Sequence, residues 1–370
     1  MSKTADLASN LINYSCEIKP TENILITFNG ESALPLVKEL IRQAYEVGAN
    51  PFVQQGNPII TREIFKNANL EQLKQMAEFE LPRMQKMDAF VGIGAGLNPY
   101  ELSGLPEEIM QNYNRIFSET VLKERVNNTK WVVLRYPTSS MALQAKMSLE
   151  DFETFYYDVC TMDYAKMSKS MDTLLDLMTR TDKVRIVGKD TDISFSIKEI
   201  PVIKCDGKRN IPDGEVYTAP VKDSVNGYIK FNCPSNHQGF TYENISFKVK
   251  DGKIIEASAN DTPKINELLN TDGGARYFGE FAIGVNPYIL SPMNDTLFDE
   301  KIAGSFHLTP GKCYKEASNG NSSAIHWDLV NIQTPKFGGG EIYFDNTLIR
   351  KDGLFVIEDL KRLNPANLKS

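Results

Sequence analysis

The stretch NILITFNGESALPLVKELIRQAYEVG, residues 23–48, opens the part of the chain that decides its fold. NILITFN (23–29) is a β-rich run, and this pattern predicts a strand. Ser32 then precedes LPLVKELIRQAYEV (34–47), whose apolar residues recur at helical spacing. Gly48 follows at the expected helix end, because glycine readily takes the left-handed conformation there. The stretch therefore predicts a strand that leads into a helix.

The same alternation continues to about residue 180. Three further β-rich runs are each followed by a helical stretch, and the last of these begins at Ser148, where Asp151 completes a capping-box pattern. Strands that alternate with helices are typical of a parallel sheet flanked by helices. The segments that predict this α/β domain are strands at 51–55, 89–93 and 131–137, with helices around 60–79, around 106–126 and from residue 148.

From about residue 183 the pattern changes to short alternating runs separated by Gly, Asp and Asn. Between two such runs, Lys250–Asp251–Gly252–Lys253 predicts a hairpin turn, because Asp-Gly readily takes the positive φ angles of that turn. A chain of 370 residues also fits two domains better than one core. We therefore predict an α/β plus α+β architecture: an N-terminal parallel-sheet α/β domain over residues 1–183 and a C-terminal, mostly antiparallel β-rich domain over residues 184–370.

Composition excludes several classes of function. Lys and Arg total 41 against 48 Asp and Glu, and the formal net charge of −7 argues against nucleic acid as the main partner. No signal peptide or membrane segment is visible, so no membrane partner is expected. The chain lacks a CxxC pair and has an odd number of cysteines, which predicts reduced thiols and a cytoplasmic protein; they are Cys16, Cys160, Cys205, Cys233 and Cys313.

Two glycine-rich segments do not predict a nucleotide site. Gly92-Ile-Gly94-Ala-Gly96 follows a predicted strand but lacks the GxGxxG spacing, so a tight turn at the strand end is the expectation. The glycines at 338–340 precede neither a helical stretch nor a GK[ST] motif. No organic cofactor is therefore expected.

The segment SAIHWDLV (323–330) indicates a metal site. If it is a strand, His326 and Asp328 project from one face, while Ile325, Trp327 and Leu329 cover the opposite, apolar face. Imidazole nitrogen together with carboxylate oxygen suits zinc, cobalt or manganese. A hydrogen-bonded His–Asp pair in the core is the alternative interpretation of the same residues.

Other residues near this segment extend the hypothesis. His307 lies in SFHL, upstream of His326. Tyr314 follows His307 by seven residues. Glu215 stands at the start of a β-like run after a turn, in PDGEVYTAP. The third histidine, His237, lies in the polar run CPSNHQGF and is expected to be an exposed bystander.

Glu280 lies in the small and apolar segment GARYFGEFAIGV. A carboxylate there is costly to bury unless a cation or a metal pairs with it. A salt bridge to Arg276 is the alternative to metal binding.

Several phrases resemble the M29 family of metallo-aminopeptidases, the aminopeptidase T, S and PepS group. The resemblance is collinear over nearly the whole chain, and its most specific motifs lie in the second half. The phrases are DAFVGIGA, RVNNTKWVVLRYPT, MSLEDFETFYYDV and KVRIVGKDTDISFSI in the first half and at its end, then PDGEVYTAP, DSVNGYIKF, DGKIIEASA, GARYFGEFAIG, NTLFDEKIAGSFHL and SAIHWDLV.

The resemblance implies a peptidase that removes N-terminal residues from peptides with a free N-terminus, and that forms a homodimer. It implies two divalent metal ions (Zn, Co, Mg or Mn) held by two Glu, two His and one Asp, beside a tyrosine. Matched motif by motif, these ligands are Glu215, Glu280, His307, His326 and Asp328. Tyr314 is the matching tyrosine, a candidate donor to the oxyanion, and Glu215 is a candidate general base if it is not fully committed to metal.

The sequence departs from the family in two places. The segment between Tyr314 and His326 is shorter than the family pattern, and Trp327 is bulkier than the residue usual between the His and the Asp. Both departures concern the shape of the pocket and thus the substrate preference. Two alternatives stay open: a cysteine hydrolase that uses Cys313 and His307, and a non-catalytic peptide-binding relative.

Overall fold

The computed structural model describes residues 2–237 and 239–369. In this part of the chain the strands are β1 (Asn23–Asn29), β2 (Asn50–Gly56), β3 (Ala89–Gly94), β4 (Lys130–Arg135), β5 (Lys183–Gly188), β6 (Thr191–Ser196), β7 (Ile203–Cys205), β8 (Asn210–Ile211), β9 (Glu215–Thr218), β10 (Asn226–Lys230), β11 (Ser235–His237), β12 (Phe240–Tyr242), β13 (Ser246–Lys250), β14 (Lys253–Ser258), β15 (Phe278–Gly284), β16 (Ser305–Pro310), β17 (Leu329–Ile332), β18 (Gly340–Phe344), β19 (Thr347–Lys351) and β20 (Leu354–Phe355).

The helices lie mostly in the first half. The α-helices are α1 (Lys3–Ser9), α2 (Leu34–Glu46), α3 (Pro58–Phe65), α4 (Leu70–Met84), α5 (Glu107–Phe117), α6 (Lys123–Asn128), α7 (Ser139–Gln144), α8 (Leu149–Cys160), α9 (Tyr164–Arg180), α10 (Thr262–Leu269), α11 (Thr296–Asp299) and α12 (Pro365–Lys369). Two π-helical turns, Asn10–Ser15 and Ser118–Leu122, extend α1 and join α5 to α6.

Two compact units divide the chain. The first comprises the residues up to Thr161 together with Gly207–Ile211, and the second comprises Met162–Asp206 and the residues from Pro212 onwards. The first unit contains one parallel sheet in the order β2-β1-β3-β4-β8. The predicted N-terminal α/β fold is therefore confirmed, and its last strand comes from the short return segment that the sequence pattern did not reveal.

The chain first passes from the first unit to the second after Thr161, which is earlier than the predicted boundary near residue 183. The predicted single helical region from Ser148 is two helices, because Asp163 caps a new helix start by accepting a hydrogen bond from the backbone N–H of Lys166. The second of these helices, α9, packs on β7 and β9 and belongs to the second unit. Apolar periodicity describes both helices equally well, so it did not reveal where the chain leaves the first unit.

Local signals in the first unit match the structure closely. Gly48 has φ +81° directly after α2, as the predicted helix end requires. Ser148 accepts a hydrogen bond from the backbone N–H of Asp151 at 3.0 Å at the start of α8. The helical stretch predicted around 60–79 is instead two helices, α3 and α4, since Asn69 caps a second start.

The second unit is built from antiparallel strands, as predicted. An eight-stranded sheet has the order β14-β13-β10-β6-β5-β18-β19-β20, and a five-stranded sheet has the order β17-β16-β15-β9-β7. The predicted hairpin joins β13 to β14, and its central residues Asp251 and Gly252 have φ +48° and +80°. Phe195 of β6 packs edge-on against Phe281 of β15 with ring centroids 4.9 Å apart.

All five cysteines are free thiols, as expected. None of the helices in the described ranges combines the length and the apolar character that a membrane crossing requires.

Candidate metal centre

One face of the five-stranded sheet collects the predicted ligands. Side chains alternate between the two faces of a strand, so the register decides which residues meet. Gly284 lies opposite Glu215, Ala282 lies opposite His307, and His307 lies opposite Val330. Residues at even spacing from these positions share their face, which therefore includes Glu280 of β15 and Asp328 just before β17. The opposite face is mainly apolar, and Phe281, Ile283 and Phe306 on it are fully buried.

Glu280 stands between the two histidines. Its Oε1 lies 3.1 Å from His307 Nε2, and its Oε2 lies 3.6 Å from His326 Nε2. His307 Nε2 is also 3.7 Å from Glu215 Oε2, and His326 Nε2 is 3.2 Å from Asp328 Oδ1. All five side chains predicted as ligands are therefore brought together, and the Glu280 carboxylate is common to both halves of the cluster.

A bulge at Gly279 aims Glu280. The register between β15 and β16 shifts between Phe278 and Glu280, so Glu280 pairs with Thr309. Gly279 packs against the neighbouring backbone, since a Cβ there would lie 2.3 Å from the carbonyl oxygen of Lys312. Bulges are common beside active sites because they redirect a side chain.

His326 does not lie in a regular strand, the condition under which the sequence placed His326 and Asp328 on one face. Strand β17 begins at Leu329, and His326 forms only an isolated bridge with Gly311. Backbone hydrogen bonds from Lys312 N–H to the Ile325 carbonyl and from Trp327 N–H to the Pro310 carbonyl hold the segment beside its neighbour, but they do not extend into a continuous ladder. The side chains nevertheless alternate as predicted: Ile325, Trp327 and Leu329 are buried.

Hydrogen bonds orient the His326 ring and the Asp328 carboxylate. His326 Nδ1 lies 2.7 Å from the carbonyl oxygen of Lys312, and a carbonyl only accepts, so Nδ1 carries the proton and Nε2 faces the cluster. Histidines that bind metals usually donate their other ring N–H in this way. Thr309 Oγ1 donates to Asp328 Oδ1 at 2.7 Å.

A buried lysine completes the carboxylate network, and sequence reasoning did not identify it. Lys301 Nζ lies 2.5 Å from Glu215 Oε1, 2.6 Å from Glu300 Oε1 and 3.7 Å from Asp213 Oδ1, and the Lys301 side chain is only 1% exposed. Its signal was the charged triplet DEK beside apolar residues in FDEKIAG, of which Asp299 and Lys301 are both buried. Asp213 and Glu215 also form a cluster with Cys205, whose thiol pKa is raised by burial. Lys301 already supplies a cation to this group.

The charges in the cluster compete strongly. Burial would lower the pKa of both histidines, but the hydrogen bond to Glu280 and the nearby carboxylates raise the pKa of His307 to about 9, and Asp328 and Glu280 raise that of His326 to about 10. Burial raises the pKa of Glu280, although His307 opposes this effect. Burial would also raise the pKa of Asp328, but His326 and His307 hold it far below its usual range. The cluster thus strongly favours positive charge at the histidine nitrogens.

Divalent metal ions fit these residues. Glu215 Oε2, Glu280 Oε2 and His307 Nδ1 are buried and have no hydrogen-bond partner among the described residues. Two groups of three side chains bring ligand atoms within 4.8 Å of one another: Glu215, Glu280 and His307 form one, and Glu280, His326 and Asp328 form the other. An orphaned carboxylate oxygen is costly to bury, and a cation removes that cost. Nitrogen with carboxylate oxygen is a donor set for zinc and similar ions.

Tyr314 lies at the edge of the cluster. Its ring centroid is 4.7 Å from that of His326 and 5.7 Å from that of Tyr217, and 47% of the residue is exposed. Partial burial of the hydroxyl and the negative charge of Glu280 and Asp328 raise its pKa, so the phenol keeps its proton. It can therefore donate a hydrogen bond to a bound molecule.

Three residues do not take the alternative or minor roles that the sequence allowed for them. Cys313 Sγ contacts the Ser318 hydroxyl and the carbonyl oxygen of Asn321, and among the described residues no histidine contacts it. Arg276 hydrogen-bonds Asn270, Asn266 and the carbonyl of Ile254, so it does not pair with Glu280. His237 is not the exposed bystander that was expected: its ring packs 5.3 Å from that of Trp327, and burial lowers its pKa.

Trp327 is a structural residue behind the metal ligands. Its indole Nε1 donates to Ser235 Oγ at 2.8 Å, and its ring packs 4.9 Å from that of Tyr242. It is 3% exposed and thus lies on the apolar side of the segment. Its bulk anchors the segment that carries His326 and Asp328 against β11 and β12.

The chain is similar to known metalloproteases and aminopeptidases. A model of the family described as thermophilic metalloprotease (M29) matches residues 1–353. Aminopeptidase 2 of Geobacillus stearothermophilus is 24% identical over 407 aligned residues, which cover 95% of this chain and 94% of that protein. Wild-type AmpT from Thermus thermophilus has a similar structure, with a TM-score of 0.77 at 21% identity, covering 96% of this chain and 99% of that one.

A second solved structure shares the fold, although its name describes a different reaction. The 2,5-dihydroxypyridine dioxygenase of Pseudomonas putida KT2440 has a TM-score of 0.62 at 12% identity and covers 97% of this chain and 99% of that one. At these identities the likeness shows the fold alone, and function has to be argued from the site.

Proposed function

Because this chain belongs to the M29 family of metalloproteases and is a metal-dependent aminopeptidase, we propose that it releases the N-terminal residue of peptides at a two-metal site. The observation that carries the two-metal assignment is the position of Glu280, whose two oxygens face two different histidines. Glu215 and His307 are the proposed ligands on one side of Glu280, and His326 and Asp328 are those on the other. A carboxylate has two oxygens, so Glu280 would be able to offer one to each of two ions.

Metal ions bound at these residues would supply Lewis acidity, lowering the pKa of a water nucleophile and polarising the scissile carbonyl. The remaining tasks fall to the chain itself. Thr309 and the Lys312 carbonyl hold Asp328 and His326 in place through hydrogen bonds. Lys301 fixes one oxygen of Glu215, and so leaves Oε2 of the same carboxylate directed at His307.

Tyr314 is the proposed oxyanion donor. Its hydroxyl is protonated at neutral pH and its ring lies against His326. A donor that contacts the oxyanion mainly in the transition state raises kcat more than it lowers KM. The general-base role predicted for Glu215 requires an oxygen that is not committed to metal, and Oε2 is the one left for it because Oε1 pairs with Lys301.

The finer parts of the proposal rest on chemistry and on the family resemblance. Nitrogen and carboxylate ligands suit Zn, Co or Mn, and a mainly carboxylate set also accepts Mg. Five free thiols support a reducing compartment such as the cytoplasm. A homodimer and short peptides with a free N-terminus follow from the family resemblance alone, and light scattering of the purified protein tests the dimer.

Metal analysis combined with a substrate panel tests the proposed activity. Amino-acid p-nitroanilides are offered to the enzyme as purified, after EDTA, and after EDTA with Zn²⁺, Co²⁺, Mn²⁺ or Mg²⁺ added back. We expect about two ions per chain, loss of activity with EDTA, recovery with at least one metal, and no cleavage of the N-acetylated substrates.

Three outcomes contradict parts of the proposal. Equal cleavage of N-acetylated substrates contradicts the exopeptidase assignment. Activity that survives EDTA but is lost on alkylation favours a cysteine hydrolase at Cys313 and His307. No cleavage with any metal, together with measurable peptide binding, indicates a non-catalytic relative.

A further inference from the structure

The first unit contains a cavity of about 550 Å³ that the proposed activity does not use. It lies on one face of the parallel sheet, towards the carboxyl ends of β1 and β3, and residues of α4, α5 and α6 line its other side. Strand β1 has β2 on one side and β3 on the other, so the direction of winding reverses between β1 and β3. Ligands of open α/β sheets bind at such a switch point.

Residues on both sides of the cavity are only partly buried. Val133 faces it from a strand of the sheet and is only half-buried, whereas its neighbour Val132 is fully buried. None of the residues of α5 is fully buried, although apolar residues line one side of it. Gly92 adds to the space, because a Cβ there would come within 2.9 Å of the Phe90 ring. A concave pocket of this size, lined mainly by apolar side chains with a few polar groups, is suited to a small ligand.

Arg125 brings a charge without a counter-ion to the cavity wall. Its guanidinium lies 4.6 Å from the ring centroid of Phe90 and 5.7 Å from that of Trp131. Its Nε is buried and lacks a hydrogen-bond partner, and no carboxylate in residues 2–237 and 239–369 forms an ion pair with it. The one acidic side chain in the wall, Glu80, already forms an ion pair with Arg83. A half-buried guanidinium without a carboxylate partner favours a bound anion.

We propose that this cavity binds a small monocarboxylate with an aromatic or branched aliphatic body, with the carboxylate on Arg125. The planar guanidinium matches a carboxylate in two parallel hydrogen bonds, and the side chains of Phe90, Met84 and Val133 match an apolar body. A phosphate fits less well, because one guanidinium does not balance a dianion removed from water. Every lining residue belongs to the first unit, so the site is separate in sequence from the proposed metal ligands.

Calorimetric titration of the full-length, metal-loaded protein tests this site with 3-phenylpropionate and its neutral analogue 3-phenyl-1-propanol. We expect the acid to bind and the alcohol to bind about tenfold more weakly, because only the acid pairs with Arg125. Arg125→Met should weaken the acid by about tenfold and leave the alcohol unchanged, while Arg125→Lys keeps part of the affinity. Arg115→Met is the matched control, since Arg115 is exposed and contacts only Asn112.

Two further variants keep the test decisive. Met76→Trp narrows the cavity from α4 without touching Arg125, and it should weaken both ligands. His326→Ala removes a proposed metal ligand and should leave binding of the acid unchanged, which separates this site from the metal centre. Equal affinity for acid and alcohol, unchanged binding in Arg125→Met, or loss of binding in His326→Ala would each overturn the inference.

Discussion

At the residue scale, Glu280 links the two halves of the cluster, since each of its oxygens faces a different histidine. His326→Ala removes one proposed ligand and leaves Asp328 without the imidazole that lies 3.2 Å from it. We expect activity to fall by more than about 100-fold, beyond the roughly 10- to 100-fold typical when an outer partner of a ligand is lost. Bound metal should fall as well, and elemental analysis beside the p-nitroanilide assay measures both. Wild-type metal content and activity in this variant would remove His326 from the ligand set.

Tyr314→Phe tests the oxyanion role. Loss of one donor to the developing oxyanion should lower kcat by about 100- to 1000-fold and change KM little. Steady-state kinetics on one p-nitroanilide separates the two constants, and Tyr45→Phe, at an exposed position, serves as the control. A rise in KM with an unchanged kcat would mean that Tyr314 binds the ground state of the substrate instead.

Lys301→Met tests whether the buried lysine stabilises the fold. The change leaves Glu215 and Glu300 without their buried counter-ion, and loss of one partner of a buried ion pair typically costs about 3–5 kcal/mol. Urea unfolding of metal-free protein measures the free energy of unfolding. Lys361→Met is the matched control, because Lys361 pairs with Glu358 on the surface and should change that free energy by less than about 0.5 kcal/mol. An equal effect of the two changes would contradict this role for Lys301.

At the element scale, the bulge in β15 decides where Glu280 points. Gly279→Ala would bring a Cβ to 2.3 Å from the Lys312 carbonyl oxygen, so strands β15 and β16 have to separate locally. We expect a loss of about 1–3 kcal/mol in the free energy of unfolding, as for other overpacked sites, together with reduced metal content. Urea unfolding and elemental analysis check the two effects.

Gly273→Ala is the control for that change. A Cβ at Gly273 has no atom within 4 Å, so its effect on the free energy of unfolding should stay below about 0.5 kcal/mol. If Gly279→Ala lowers stability but leaves metal content unchanged, the bulge maintains packing and does not aim Glu280.

At the scale of the whole molecule, metal ions and the stability of the second unit are coupled. Glu215, Glu280 and Asp328 come together only when the sheet is folded, so ions that bind them stabilise the native state and not the unfolded chain. A ligand at 100 times its dissociation constant stabilises the native state by about 2.7 kcal/mol. EDTA should therefore lower a calorimetric unfolding transition, and added Zn²⁺ should restore it.

His326→Ala again supplies the control for this prediction. With one ligand missing, its unfolding transition should respond less to EDTA than that of the wild type. An equal shift in the two proteins would mean that EDTA acts elsewhere on the molecule.

Much of the architecture follows from local patterns. The strand 23–29, the end of α2 at Gly48, the cap at Ser148 and the hairpin at 250–253 all depend on neighbours in sequence, and each occurs as predicted. The division of the units at Thr161 and the return strand β8 depend on long-range packing, which periodicity does not contain. Whether residues 323–330 form a regular strand also depends on long-range pairing, and the strand begins only at Leu329.

The site shows the same division. The sequence by itself determined which side chains were available and which of them share a strand face, because side chains alternate strictly along an extended chain. The resemblance to M29 motifs then identified five of these side chains as one set of metal ligands. Only the tertiary structure decided that Glu280 faces both histidines, that Lys301 is buried beside Glu215, and that Arg125 faces a cavity without a counter-ion. These features depend on strand register, on a bulge and on burial, and each arises from contacts between residues far apart in the chain.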